Sequence, residues 1–190
     1  IDLLKALRKK WNRWQMFSLG PYFRELNKDC NPDPYLHELI ESADIVLPWM
    51  VQRFTPLVHF PDNHLRDHII ADIKWAQERG VDYAPIACPG FSWKNMRKND
   101  PSIVYDAIPR MDGNFLWNQL VTMINAGSEM IYIAMFDEID EGTAIFKVSN
   151  NPPNTNGAHF INGGGAPSDQ YLWVTGQGAR MLRKEIPLVT

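Results

Sequence analysis

The sequence predicts an α/β chain of right-handed βαβ units, roughly the C-terminal half of a (β/α)8 TIM barrel, and three observations carry that reading. Amphipathic helical stretches alternate with single apolar strands rather than with hairpins, the pattern a parallel sheet requires. The run over 130–136, Met-Ile-Tyr-Ile-Ala-Met-Phe, is apolar on both alternating faces, as in a strand covered on each side by helices. It ends in Asp137, Glu138, Asp140 and Glu141, at the carboxyl end, where the loops of such folds assemble chemistry.

The elements follow in order. Leu3, Leu4 and Leu7 share one side of an opening helix, and 14–19 is a strand closed by Gly20-Pro21. Asp33 is a capping acid before the first-turn Pro34, and Leu36, Leu39 and Ile40 form the stripe of a second helix. Residues 45–49 make the next strand. Pro61-Asp62 opens a helix carrying Leu65, Ile69, Ile70 and Ile73, and Gly80 stops it before a strand over 83–88. Asp112 or Asn114 caps a helix whose stripe is Phe115, Leu120, Val121 and Ile124, and Gly127 ends it before the acid-bearing strand. Residues 150–165, rich in Asn, Pro and Gly, read as a long loop around one short strand at 159–161. Ser168 caps a last helix through Arg183, in which Gly176 and Gly178 permit close packing. A closed barrel needs eight strands and typically about 250 residues. Only four strands and the short fifth are found in 190 residues, so 1–190 reads as one incomplete barrel domain, undivided by any compositional linker.

A chain that is 45% hydrophobic and 22% charged has the composition of an ordinary globular protein, and its formal charge of -3, without a dense basic cluster, argues against a nucleic-acid partner. No apolar run approaches the roughly 18 residues of a membrane span. The opening Ile1-Asp2-Leu3-Leu4-Lys5 lacks the architecture of a signal peptide, and the absence of an initiator Met predicts a processed or truncated chain. Cys30 and Cys88 are too few for a disulfide framework and lie in no metal-ligand spacing, so both read as structural thiols.

Each strand end is followed by aromatic and polar residues: Tyr22, Phe23 and Arg24; Trp49 and Arg53; Phe91, Ser92 and Trp93; then the carboxylates. A sugar ring packs its C–H face on an aromatic ring while its hydroxyls demand charged or amide partners, so the grouping points to a carbohydrate cleft. Any one of these rings read alone is as often core. Glu138 and Glu141 stand three apart and would share a side if a helical turn follows the strand. One carboxyl would protonate the leaving oxygen and the other act as base or nucleophile, with Asp137 and Asp140 raising a neighbour's pKa. A Glu-x-x-Glu pair also marks solvated helix faces and helix starts. Calcium or magnesium ligation by these oxygens is a lesser alternative, because the regular alternation of a calcium loop is missing. His64 and His68, one helical turn apart, with His59 nearby, raise a metal reading that no His-Glu-x-x-His pattern supports. Ser92 is not in a nucleophile elbow, and Gly163-Gly164-Gly165 lacks the Lys-Ser/Thr of a phosphate loop. No metal and no cofactor is called for.

Pro89-Gly90-Phe91, Arg110 with Asp112-Gly113, and Phe136-Asp137-Glu138-Ile139-Asp140-Glu141-Gly142-Thr143 together resemble the glycoside hydrolase family 99 and 71 group of endo-α-mannosidases, endo-α-mannanases and α-1,3-glucanases. The family 99 pattern runs Pro-Gly-Tyr, Arg-x-x-Gly and Phe-Asn-Glu-Trp-His-Glu-Gly-Thr in the same order. Bacterial family 71/99-like proteins, often labelled xylosidase or arabinosidase, look closer still. The resemblance implies a (β/α)8 barrel and retaining hydrolysis of α-linked mannan- or glucan-type glycans, with an oligosaccharide or polysaccharide as the substrate. It makes Glu138 the general base, acting on the sugar's own 2-hydroxyl, and Glu141 the general acid/base, a known exception to the two-carboxylate rule. It adds Arg110, Asp137 and Asp140 to the substrate-binding candidates and implies a periplasmic or extracellular setting. Asp137, Ile139 and Asp140 replace the Asn, Trp and His of the pattern. The rival readings are a xylosidase or arabinosidase, a non-catalytic glycan-binding barrel, and a metal-dependent hydrolase. Half a barrel also leaves strand edges unpaired, which predicts self-association or a missing N-terminal half.

Overall fold

The computed structural model describes residues 2–55, 63–153, 157–163 and 165–189. In chain order they form α1 (Asp2–Trp11), β1 (Met16–Leu19), α2 (Tyr35–Glu41), β2 (Ile45–Pro48), α3 (His64–Gln77), β3 (Asp82–Tyr83), β4 (Ile86–Ala87), a 3-10 turn (Met111–Gly113), α4 (Asn114–Asn125), β5 (Tyr132–Ile133) and α5 (Gln170–Leu182). Every strand pair is parallel, with Met16 opposite Ile45, Ile45 opposite Asp82 and Ile86 opposite Tyr132. The βαβ alternation is therefore real, but among the described residues the strands make an open three-stranded and an open two-stranded sheet and close no barrel.

The strand expected over 83–88 is divided at Pro85, which has no N–H to give to a ladder. Ala84 still donates to the Val46 carbonyl at 3.0 Å, while the Pro85 carbonyl accepts from Tyr132 at 2.9 Å. One extended segment thus leaves β2 and joins β5. The acid-bearing strand is shorter than its apolar run. Ala134 extends the ladder to Ala87, then Met135 and Phe136 fold back onto residues 143–146 through bonds such as Met135 N–H to the Thr143 carbonyl at 3.0 Å. The run is not covered on both faces as expected, since Tyr132 is 40% exposed and Phe136 61%.

One core cluster joins the strands to α3, α4 and α5 through residues such as Val46, Leu47, Ile69, Ile86, Leu116 and Val174. α4 buries Phe115, Leu116, Gln119, Leu120 and Met123, a stripe rotated from the expected one, with Val121 and Ile124 only half-buried. The rotation follows from Gln119. Its amide donates to the Cys88 carbonyl at 2.7 Å and accepts the Cys88 N–H at 3.2 Å, holding α4 against the end of β4. α5 packs on α4 at Gly178, where a Cβ would stand 2.6 Å from Leu120 Cδ1, whereas Gly176 faces open space.

Asp33 Oδ1 accepts the Tyr35 N–H at 3.0 Å at the start of α2, as its place before Pro34 predicts. Gly113, not Asp112 or Asn114, precedes α4, and no side chain caps α4 or α5. α1 buries nothing. Residues 159–161 are loop, not strand. Pro61-Asp62, His59 and Gly164 lie outside the described residues. Among the described residues no helix is long and apolar enough to cross a membrane.

Candidate functional site

Beyond β5 the acids lie on a hydrogen-bonded turn rather than a helix. The Ile139 carbonyl accepts the Gly142 N–H at 3.1 Å, and the Glu138 carbonyl accepts the Thr143 N–H at 3.1 Å and its hydroxyl at 3.3 Å. The Glu138 side chain accepts the Asp140 N–H at 3.0 Å. Gly142 sits at φ +67°, and a Cβ there would come within 2.7 Å of Ile161 Cγ1, so the turn requires glycine on both counts. Both glutamates are half-buried, while Asp137 and Asp140 are exposed. Burial, and then the negative charge of Glu138, push the Glu141 carboxyl above the ordinary glutamate value. The neighbouring aspartates expected in that role do not supply it.

Single contacts join the loops that follow successive strands. Arg53 bonds Asp29 at 2.7 Å, the Trp93 indole donates to Gln52 at 3.0 Å, and the Ser92 N–H donates to the Glu141 carbonyl at 2.7 Å. Trp49, 38% exposed, follows β2 on the same edge. Trp49, Arg53, Trp93 and the acids therefore share the carboxyl ends of the parallel strands. Tyr22 lies edge-on to His68 at 5.6 Å, with the Lys28 ammonium 3.5 Å above its ring.

Two of the expected sugar contacts, Phe91 and Arg110, are buried, and a third, the half-buried Arg24, is engaged in ion pairs. Phe91 is 1% exposed; it bridges to Ile108 and packs on Trp93 at 5.0 Å, so its ring is core. Arg24 pairs with the fully buried Asp72 and with Glu25 at 2.8 Å. Arg110, 5% exposed, donates Nε and Nη2 to the Gly142 carbonyl at 3.1 and 3.0 Å and Nη2 to the Ala144 carbonyl, while its guanidinium lies 4.3 Å over the Tyr171 ring. Its first task is to hold the acid turn. Gly90 belongs to the same packing, since a Cβ there would meet Arg110 Cγ and the Ile108 carbonyl at 2.8 Å. Gln119 and Tyr171 carry no motif that marks them in the sequence. Their roles come from contacts with residues distant in the chain.

A cleft of about 320 Å³ opens beside the turn, lined by Ile139, Gly142, Phe146 and Phe160 among others, with Arg110 at its wall. The histidines do not gather. His68 Nε2–H donates to the Pro21 carbonyl at 3.0 Å and stands 3.3 Å from Asp72, and burial, then Arg24, bring its pKa down to about 4. Burial pushes Asp72 up to about 7 against the pull of Arg24 and Tyr83. Among the described residues no three His, Cys, Asp or Glu side chains form a group able to hold a metal ion. Cys30 and Cys88 are buried free thiols, and burial pushes Cys88 up to about 12.

No protein-family model matches the chain, and no curated protein matches it. Solved structures do. The GH99 endo-α-mannosidase of Bacteroides thetaiotaomicron, solved in complex with Bis-Tris-propane, is 19% identical over 80% of this chain and 45% of its own, with a TM-score of 0.61. Another structure of the GH99 endo-α-mannosidase from that organism is 16% identical over 96% of this chain and 61% of its own, TM-score 0.63. A glycoside hydrolase-like protein is 14% identical over 93% of this chain and 48% of its own, TM-score 0.55. The chain spans about half the length of the structures it matches. Over that span its fold is similar to the fold of the GH99 endo-α-mannosidases.

Proposed function

We propose that the chain is the C-terminal half of a (β/α)8 barrel, a single incomplete catalytic domain, and that it serves a glycoside hydrolase acting on α-linked glycans of mannan or glucan type. The observation that carries this reading is the turn after β5. It holds Glu138 and Glu141 together at the carboxyl end of a parallel strand and keeps the Glu141 carboxyl above its ordinary value. Glu141 is the general acid/base on the glycosidic oxygen, because a raised pKa keeps a proton available for a leaving alkoxide. Glu138 is the general base, acting on the 2-hydroxyl with retention. Trp49, Trp93 and Arg53, with Tyr22 beside them, offer ring faces and charged donors to the sugar from the same edge, and Asp137 and Asp140 accept from its hydroxyls. The fold likeness to GH99 endo-α-mannosidases supports this reading.

In the intact polypeptide, Glu138→Gln and Glu141→Gln should each lower hydrolysis of α-mannan or α-glucan fragments by about 10³-fold or more while oligosaccharide binding persists. An unchanged rate in either variant rejects the assignment. Binding of such fragments by the wild type, without cleavage across a panel that includes xylosides and arabinosides, would instead make this a glycan-binding barrel.

A further inference from the structure

The glutamate turn is gripped from outside its own loop by a buried cation, and a ring on α5 lies against that cation. Arg110 donates Nε and Nη2 to the Gly142 carbonyl and Nη2 to the Ala144 carbonyl, while the Ser92 N–H holds the Glu141 carbonyl at 2.7 Å. A planar fork binds well only when its acceptors lie near its plane, so the orientation of the guanidinium decides where the turn sits. Two groups confine it. Along the stem, Gly90 is packed so closely that a Cβ there would stand 2.8 Å from Arg110 Cγ. At the head, the Tyr171 ring centroid lies 4.3 Å from Arg110 Cζ, and the guanidinium is hydrogen-bonded to the Tyr171 hydroxyl. The Asp106 carboxylate adds a favourable charge.

Tyr171 is fixed in turn by α5. It is 1% exposed and is the second residue of the helix, and one turn on Val174 is packed against Gly113, where a Cβ would stand 3.1 Å from Val174 Cγ2. Beside it, the Gln170 amide donates to the Asp112 carbonyl at 3.3 Å. α5 thus holds both the backbone of the 110–113 turn and the Arg110 side chain. We propose that Tyr171 is a positioning residue for the glutamate pair: it sets the plane of the Arg110 guanidinium, which sets through the Gly142 and Ala144 carbonyls where Glu138 and Glu141 stand. This deepens the hydrolase reading and rests on it for the effect on rate, while the effect on Glu141 is measured without turnover. Burial and the charge of Glu138, which raise the Glu141 carboxyl, both depend on where the turn holds the two side chains. A guanidinium free to rotate relaxes the turn, exposes Glu141 to water and lets its carboxyl fall toward the ordinary glutamate value.

In the intact polypeptide, Tyr171→Leu removes ring and hydroxyl, and Tyr171→Phe removes the hydroxyl alone. Met181→Ala, a buried truncation near the far end of the same helix, is the control for loosened packing. Carbon-13 NMR follows the Glu141 carboxyl through a pH titration, and nitrogen-15 NMR follows the Arg110 Nε–H. Tyr171→Leu should displace the Nε–H signal and lower the Glu141 pKa, and Tyr171→Phe should do the same to a smaller extent. Met181→Ala should leave both at wild type although it melts earlier. With a cleaved glycan as substrate, Tyr171→Leu should lower kcat by about 10- to 10²-fold and change KM by less than about threefold. The proposal is overturned if a folded Tyr171→Leu titrates at Glu141 as the wild type does, or if Met181→Ala shifts Glu141 as far. If Tyr171→Leu fails to fold, Tyr171→Phe decides, and wild-type values of both signals in that variant overturn the proposal. Hydrolysis whose kcat and Glu141 titration ignore Tyr171→Leu removes the positioning role and leaves the hydrolase. A Glu141 that answers to Tyr171 in a protein that cleaves no glycan removes the hydrolase reading and leaves the positioning of the turn.

Discussion

Burial raises the Glu141 carboxyl first, and the charge of Glu138 raises it second. The two causes can be separated. A general acid works in its protonated form, so hydrolysis should decline as pH rises through the Glu141 pKa, and that alkaline limb should lie above the ordinary glutamate range. Glu138→Gln removes the second cause and leaves the first, so Glu141 should then titrate lower than in the wild type and still above a free glutamate. A carbon-13 titration of the carboxyl signals measures this, and an unmoved Glu141 would mean that the two side chains do not interact. The placement of the acids just beyond a strand is legible in the sequence, because a Glu-x-x-Glu-Gly run ending an apolar stretch is local information. The work of Arg110 is not. Its partners lie 32 and 34 residues away in the chain, and a guanidinium that grips backbone carbonyls has the same letter as one that grips a sugar. The pairing of Arg24 with Asp72 across 48 residues, and the bridge to Ile108 that puts Phe91 in the core, are hidden from the sequence for the same reason.

At the level of elements, alternation and most helix positions followed from periodicity, and the departures trace to single side chains. Pro85 divides a strand that apolarity alone runs through, and Gln119 turns α4 because its amide satisfies both backbone groups of Cys88. α5 gives a paired test of close packing. Gly178→Ala drives a methyl into Leu120, with Cδ1 at 2.6 Å and Cγ at 3.3 Å, and should cost about 1–3 kcal/mol as overpacking. Gly176→Ala meets nothing within 4 Å and should be neutral or stabilise by up to about 1 kcal/mol through helix propensity. Urea unfolding of the two variants settles the comparison, and equal effects would show that the α4–α5 contact is looser than it looks. α3 gives a second test. Asp72 takes Arg24 from the loop after β1 and the Tyr83 hydroxyl of β3 at 2.8 Å. Asp72→Ala leaves the Tyr83 hydroxyl without its acceptor and Arg24 with Glu25 alone, and should lower stability by about 1–3 kcal/mol. A loss below about 1 kcal/mol would show that the network is already hydrated.

At the scale of the molecule, what the fold leaves uncovered matters as much as what it buries. β1 pairs only with β2, so one side of a parallel strand offers its backbone groups to no neighbour strand among the described residues. Leu3, Leu7 and Trp11, each four residues from the next, line one face of α1 at 70%, 40% and 59% exposure, and Trp14 and Met16 continue the apolar surface to that edge. α1 is held instead by polar contacts, Arg8 to Asp44 and the Gln15 amide to the Leu4 carbonyl at 2.7 Å. An apolar face beside an open strand edge is the kind of surface on which a further chain segment or a second copy can dock. The 190-residue polypeptide expressed by itself should therefore self-associate, and Leu7→Glu combined with Trp11→Glu should reduce that association without loss of helix, because α1 buries no residue in its own fold. Light scattering with circular dichroism checks both halves of the expectation. A monodisperse monomer that melts cooperatively would show that this edge is satisfied by the chain as it stands, and the half-barrel reading would go with it.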